Sequence, residues 1–546
     1  MYDEMSKWIR RQAVRPMRRR DFLRHGLSLG VASATGSAIT RSLAAVPAHN
    51  WDGYDFGPGP QVFDRLNQGP FSQYVPDATI PADEVVMATT ASALNVPNFG
   101  RGLITYITAD MGLEEIKSDH ALRAIEDLAR FPLGQLLYVR PTWRELQPTP
   151  GRLHIPEYLQ LVLSLAKSCR KRIGIRVQMS APDYWHEPAL PDFVLARVPT
   201  VKLVLDAAES KQSAERFLKN PYARYQPRFD NPFFQQAFGE LVGLLAAELD
   251  GNAVVEFVDT FMYGYWGEGH TWPFSNNPFP DYATAERTWV NMLDVQVDHF
   301  RKTPLLTNTQ PDFSRVGNSQ LVDRTVRSNN WLRSDTIFIE NEQIEALSNR
   351  PAWTAAAIEQ AVRIPPAGAN VSPEDPMGAE NVISHVLDVG ANYLSLWNFH
   401  DIRMENLSRT YAASRAAFDL INRRIGYNVR PSIIWAYKKD GRGALIIGFA
   451  NDGIAGVPGV LRVTLETPDG KTVASGSLDP GYPLPGKIRQ AQLVLPAGIA
   501  WQGLRLRGEL QVKGSRHSVR WNCQQALNED GSLTLRPNMS TADQPE

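Results

Sequence analysis

Between residues 102 and 426, short apolar runs alternate with longer stretches in which apolar positions recur every three or four residues. The runs, read as strands, fall at 103–108, 136–140, 173–178, 254–262, 304–308, 330–335, 353–359 and 393–398. The helical period falls at 113–130, 156–170, 231–248, 282–301, 316–328, 340–348, 378–389 and 405–424. A parallel strand reaches its neighbour only through a crossover, usually a helix, so eight such units predict an α/β chain folded as a (β/α)8 TIM barrel. A doubly wound open sheet fits the same alternation and is the alternative. One stretch is contestable. "PAWTAAAIEQ" at 351–360 opens like a helix with proline in its first turn, and "TIFIENE" at 336–342 makes the better isolated strand. The count favours a strand at 353–359, because the barrel otherwise lacks its seventh strand before Tyr393.

Beyond residue 427 the period changes to two. "ALIIGFANDG", "GVLRVTLETPDGKTV", "RQAQLVLP" and "LRLRGELQV" alternate apolar and polar positions between Gly, Pro, Asn and Asp turns, which predicts an antiparallel β-sandwich. Residues 49–95 are rich in Gly, Pro and Asp and read as an extended segment lying on the main domain. The expected layout is a leader at 1–48, the extended segment at 49–95, the barrel at 96–426 and the C-terminal β-sandwich at 427–540.

The leader changes the picture of where the chain works. Arg18, Arg19, Arg20, Asp21, Phe22, Leu23 and Arg24 precede a mild apolar run at 26–40 and small residues at 44–48, the order of a twin-arginine export signal. Met17, just before the arginines, offers a second start position. Periplasmic or extracellular localisation is the expectation. The apolar run is short and rich in Gly, Ser and Thr, and no later stretch reaches the ~18 apolar residues of a membrane span, so no stable membrane insertion is expected of the mature form. Without residues 1–48 the chain carries 48 basic and 55 acidic residues, near minus 7, which disfavours nucleic acid as a partner. Two cysteines, Cys169 and Cys523, offer neither a disulfide framework nor a cysteine metal site.

A barrel builds its active site at the C-terminal ends of its strands, so the residues there are read together. They are Arg140, Trp143 and Glu145 after strand two, Trp185 within "RVQMSAPDYWHEP" after strand three, Asn308 and Gln310 after strand five, Arg333 and Asp335 after strand six, Glu359 after strand seven, and Trp397 with His400 after strand eight. Strand four runs into "FMYGYWGEGHTW" at 261–272, where Trp266 and His270 flank a single carboxylate, Glu268. Arg140, Arg333 and Asp335 also fit structural ion pairs, and Trp143 and Trp397 also fit core packing. A rim of tryptophans with Asn, Arg and acids nevertheless suits a sugar, whose CH faces stack on rings while its hydroxyls need polar partners.

Glycoside hydrolysis needs two carboxyl groups across the scissile bond. Glu268 and Glu359, on strands four and seven, are expected to face each other over the barrel mouth. The aromatic, glycine-tight surroundings of Glu268 are expected to raise its pKa, as a general acid at neutral pH requires, while Glu359 stays ionised as nucleophile beside Arg140 or Arg333. If "TIFIENE" were strand seven, Glu340 or Glu342 would supply the second acid.

The stretch "YVRPTWRELQPTPGRLHIPEYLQLVLSLAKSCRKRIGIRV" with "APDYW" resembles the strand-two to strand-three region of retaining clan-A glycoside hydrolases, especially β-galactosidase-like barrels. "FDNPFFQQAFGELVGLLAAELDGNAVVEFVDTFMYGYWGEGH" and "WLRSD" resemble a bacterial group of galactosidase-like barrels that carry a C-terminal sandwich. The likeness spans about residues 95–540. It implies Glu268 as acid/base, Glu359 as the strand-seven acid and Trp397 as the aromatic floor. Two positions depart from the pattern: Gln147 stands where the clan has a glutamate, and Gly267 precedes Glu268 where the clan has the asparagine that contacts the sugar's 2-hydroxyl.

His270 and His400 lack the helix-spaced histidines or paired cysteines of a zinc signature, and no glycine-rich phosphate loop follows the first strand, so no metal and no cofactor are expected. The partner expected is a carbohydrate. The reading is an exported, retaining glycosidase; a carbohydrate-binding pseudo-enzyme and an exported cofactor oxidoreductase are the competitors.

Overall fold

A computed structural model describes residues 79–107, 119–182, 187–211, 214–309, 314–334, 341–359, 379–396, 404–439 and 441–536. The export signal, the first part of the 49–95 segment, Trp185, Gln310, Asp335, Glu340, Trp397 and His400 lie outside the described residues, as does the side chain of Glu342.

Eight parallel strands close into a barrel in chain order: Gly102–Tyr106, Leu136–Val139, Arg172–Ile175, Val255–Asp259, Leu305–Asn308, Trp331–Ser334, Ala356–Ile358 and Tyr393–Ser395. Six lie within the apolar runs, and the first and third begin one residue ahead of theirs, at Gly102 and Arg172. The open-sheet alternative fails because Ala356–Ile358 pairs with Trp331–Ser334 on one side and Tyr393–Ser395 on the other, and the last strand pairs back onto the first. The contested stretch therefore supplies strand seven. Ala355, Ala356, Ala357 and Ile358 are all buried, which rewards extended packing inside the closed sheet more than helix propensity rewards the alternative. Of "TIFIENE", residues 336–340 lie outside the described residues, and the last two begin the helix Asn341–Ser348.

The helix after the third strand, Pro232–Leu249, shows why the local chain folds as it does. Asn231 caps it by accepting from the N–H groups of Phe233 and Phe234, and Pro232 occupies the first turn, where no donor is needed. Phe234, Phe238, Leu241, Val242 and Leu245 recur at helical spacing and are buried against the sheet and its neighbours. Each such side chain contributes about 1.5–3 kcal/mol when fully removed from water. Between strand three and this helix, an insertion at 179–230 holds the short helices Asp192–Leu195 and Glu215–Lys219 and a two-stranded ribbon, Thr200–Lys202 with Tyr225–Pro227.

The second domain is two antiparallel sheets. One orders Thr79–Ala88, Val429–Lys439, Arg442–Asn451 and Ile488–Val494; the other joins Thr472–Ser477, Val460–Glu466, Arg505–Val512 and Ser515–Val519, with Leu533–Thr534 on Arg505–Val512. The described part of the 49–95 segment thus differs from the expectation: Thr79–Ala88 pairs with Val429–Lys439 and is the edge strand of the second domain, away from the barrel sheet.

This domain is docked at the barrel's lower, N-terminal end. Lys513 is buried there and donates to the carbonyls of Phe300 and Thr303 and to Asn330 Oδ1, all just ahead of strands five and six. The His517 ring stacks on Phe99 with centroids 3.5 Å apart. Below strand four, buried Glu256 accepts from the Gly100 N–H and the Tyr393 hydroxyl, both at 2.8 Å, and pairs with Arg172. Cys169 and Cys523 are not joined. Among the described residues, no helix is long and apolar enough to cross a membrane.

Candidate active site at the barrel mouth

Strand four leaves the barrel at Asp259 and folds into a knot rather than an open loop. Tyr265 donates its N–H to His270 O at 2.9 Å, Gly269 to Tyr263 O at 2.9 Å, and Met262 to Gly267 O at 3.1 Å. Glycine is required where the chain crosses itself: Gly264 has φ +83°, and a Cβ there would lie 2.1 Å from the His270 carbonyl oxygen. Trp266 sits in the same left-handed region at φ +53°, a costly conformation for a bulky residue, held by its N–H donating to Ser180 O at 2.8 Å. The knot turns Glu268 inward.

Glu268 is 6% exposed, and so is Glu359, the residue after strand seven. Three buried arginines from strands two, three and six converge on them. Arg140 Nη1 lies 3.5 Å from Glu359 Oε1, with its guanidinium over the Tyr106 ring. Arg176 Nη1 lies 3.0 Å from Glu268 Oε1, while its Nη2 donates to both Glu359 oxygens at 3.4 Å. Arg333 Nη2 donates to Glu268 Oε1 at 3.3 Å and pairs with Glu359 through the same nitrogen. Its Nε reaches Asp259 at 3.3 Å, and Asp259 accepts from the Tyr138 hydroxyl. His270 Nε2 lies 3.2 Å from Glu268 Oε2, and Asn308 Nδ2 donates to the Glu268 carbonyl at 3.3 Å.

The electrostatics reverse one expectation. Burial does push the Glu268 carboxyl up, as its aromatic setting implied, but Arg176, His270 and Arg333 outweigh burial and hold it well below the usual carboxylate range. Glu268 is therefore ionised at rest at neutral pH. Asp259 moves the other way: burial raises it against the pull of Arg333, Arg176 and the Tyr138 hydrogen bond. Burial likewise lifts the Tyr138 phenol, so it stays a hydrogen-bond donor to Asp259.

The structure thus brings together Glu268, Glu359, Arg140, Arg333, His270 and Asn308. Trp266 is half-buried beside them, its ring 5.7 Å from that of His270. Trp143 is a correction. It is fully buried, packs edge-on against Phe234 and Phe238, and donates its indole N–H to Gln147 Oε1 at 2.8 Å, so it belongs to the core and not to a substrate surface. Gln147 passes the tie on to Glu240 of the helix Pro232–Leu249, which gives that departure from the clan pattern a packing role. Of the loop aromatics, Phe261, Tyr263 and Tyr265 are wholly buried, and Trp266 and Trp272 reach the surface.

Sequence reading missed Arg176, Asp259 and Tyr138. The available signal was a lone arginine in "IGIRVQ" and a lone aspartate in "VEFVD": a charge inside an apolar strand must find a buried partner. Among the described residues, no group of three or more His, Cys, Asp or Glu is placed to hold a metal ion.

No protein-family model matches the sequence, and no curated protein matches it. Among solved structures, the chain is similar to a GH5_18 protein from Streptomyces cattleya in complex with Manβ1-4GlcNAc, at 11% identity and TM-score 0.35, covering 58% of this chain and 81% of that one. It is similar at TM-score 0.35 to a β-galactosidase from Rahnella sp. R3, at 10% identity, covering 63% of this chain and 59% of that one. A third likeness, also at TM-score 0.35, is to endo-glycoceramidase II from Rhodococcus sp., at 12% identity, covering 75% of this chain and all of that one. Similarity at this level defines nothing about the site's chemistry. The coordinates themselves define the class: a (β/α)8 barrel with a buried carboxylate–arginine cluster at its C-terminal mouth.

Proposed function

We propose that the protein is an exported glycosidase that cleaves a poly- or oligosaccharide through Glu359 as nucleophile and Glu268 as acid/base. The observation that carries the reading is one guanidinium on both acids: Arg176 Nη1 lies 3.0 Å from Glu268 Oε1 while its Nη2 donates to both Glu359 oxygens at 3.4 Å. A bridge of that kind supports two carboxyl groups acting on one glycosidic bond. In the first step the Glu359 carboxylate bonds to the anomeric carbon while the glycosidic oxygen departs with a proton from Glu268. In the second, water gives its proton to Glu268 and displaces Glu359 from the sugar, restoring both groups. Arg140, on the Glu359 side, favours the anion that attacks.

The acid step requires Glu268 to gain a proton that its resting partners disfavour. A sugar that takes over the hydrogen bonds of His270 and Arg333 removes partners that hold the anion, and so raises its pKa. The ionised resting state, together with Gly267 in place of asparagine, favours a second reading: a carbohydrate-binding protein without turnover.

One experiment separates them. Purified protein, Glu268→Gln and Glu359→Gln are screened against a glycan panel for cleavage by reducing-sugar release and for binding by calorimetry. The glycosidase reading expects cleavage by the wild type and a loss of about 10³-fold in each variant. Binding without cleavage selects the second reading, and full activity in either variant removes that residue's role. Export is tested separately by fusing residues 1–48 to a reporter and replacing Arg18, Arg19 and Arg20 by lysine, which is expected to abolish export.

A further inference from the structure

An aromatic ledge leads outward from Glu268 and is not used by the two-carboxylate chemistry. Its members come from the strand-four knot and the 179–230 insertion. His270 touches Glu268 and meets the Trp266 ring; Trp266 edges onto Phe217 at 6.0 Å; and Phe217 in turn meets Trp272 at 5.7 Å, nearly perpendicular. Tyr265 and Phe274 pack beneath Phe217. Phe217 is fully buried and forms the floor on which both indoles rest, while exposure differs between the ends, 6% at Glu268 and 40% at Trp272.

Two features mark the ledge as built for a ligand rather than left over from folding. Trp272 Nε1 donates to Glu209 Oε1 at 2.9 Å, so the indole is fixed in orientation while much of its surface stays in water. Trp266 is held at a positive φ that costs stability and that the knot has no need to impose on an aromatic residue. A large, fixed, half-wet indole is how proteins stack the CH face of a sugar ring, since the ring presents area at little conformational cost.

We propose that Trp266 and Trp272 form a subsite for a sugar ring without negative charge on the leaving-group side of the scissile bond. The side follows from Glu268, the group that protonates the departing oxygen, which lies at the inner end of the ledge. The absence of negative charge follows from Glu209 beside Trp272, whose carboxylate an anionic ring placed there would meet. This inference rests on the glycosidase reading for its direction and on the ledge itself for its existence.

The test compares wild type, Trp272→Ala and Trp272→Phe on nitrophenyl monoglycosides and on neutral β-1,4-linked gluco-, manno- and galacto-trisaccharides, with calorimetric binding of the trisaccharides alongside. The expected result is that Trp272→Ala lowers the ratio of trisaccharide to monoglycoside kcat/KM by about tenfold and that Trp272→Phe restores most of it. An unchanged ratio overturns the subsite while leaving the two-carboxylate reading intact. If the wild type cleaves none of these compounds but binds a trisaccharide, a tenfold weaker binding in Trp272→Ala upholds the ledge and counts against the glycosidase reading. Equal binding by both, or none by the wild type, overturns the ledge.

Discussion

Arg333 Nη2 lies 3.3 Å from Glu268 Oε1 and uses that same nitrogen to pair with Glu359, so one guanidinium joins the ends of strands four and seven. A third carboxylate, Asp259, holds its Nε. Removing Arg333 takes one cation from three buried carboxylates and leaves Arg176 and Arg140 to hold the glutamates. Arg333→Ala is expected to cost about 3–5 kcal/mol, the usual penalty for breaking a buried ion network by deleting one partner. Arg333→Lys keeps the charge but loses the fork that bridges two acids, and is expected to be milder in stability and severe in activity. Urea titrations of both variants check this; a wild-type midpoint for Arg333→Ala would refute it.

The pH dependence has a definite sign. Glu268 titrates below its unfolded value, so its ion pairs contribute in full above the unfolded value of about 4.3 and are lost as pH falls toward the lower folded value. The stability difference between wild type and Glu268→Gln should therefore shrink as pH drops from 6 to 3. Asp259, with its raised value, works in the opposite sense as pH climbs above about 4. Denaturation curves at successive pH values measure the difference, and a constant gap would show that Glu268 is not held by these partners.

Trp143 is a core residue, so its loss should read as a cavity. Trp143→Ala is expected to destabilise by about 3–5 kcal/mol, and Trp143→Phe by less because it refills most of the space against Phe234 and Phe238. If Trp143→Phe instead weakens binding of glycans while leaving the melting temperature untouched, the residue contacts ligand after all.

The knot before Glu268 depends on one glycine. Gly264→Ala places a methyl 2.1 Å from the His270 carbonyl at a left-handed φ, and is expected to cost well over the ~1 kcal/mol typical of such a backbone change. Because His270 and Glu268 share the knot, activity should fall with stability. A variant as stable and as active as wild type would mean that the loop can relax.

Much of the architecture was legible along the chain. Eight apolar runs separated by helical stretches call for a covered parallel sheet, because each run can bury both faces only there; the count of eight favours a barrel, and the pairing of the last strand on the first excludes the open sheet. Strand seven was harder, since "AWTAAAIE" satisfies helix and strand alike, and only its pairing on both edges decides it.

The charge state of the site lay beyond sequence reading. Local composition around Glu268 argued for a raised pKa, and local composition was right about burial. The deciding groups, Arg176 and Arg333, come from strands three and six, which barrel closure carries to Glu268. Trp143 and Trp272 show the same division: both are tryptophans near the ends of strands, and only packing distinguishes the one sealed against Phe234 from the one left 40% exposed. The sequence by itself determined the periodicities, the turns and the kinds of side chain available. Tertiary structure decided which of them meet, because Coulomb and contact energies depend on distances in space that residue spacing does not encode.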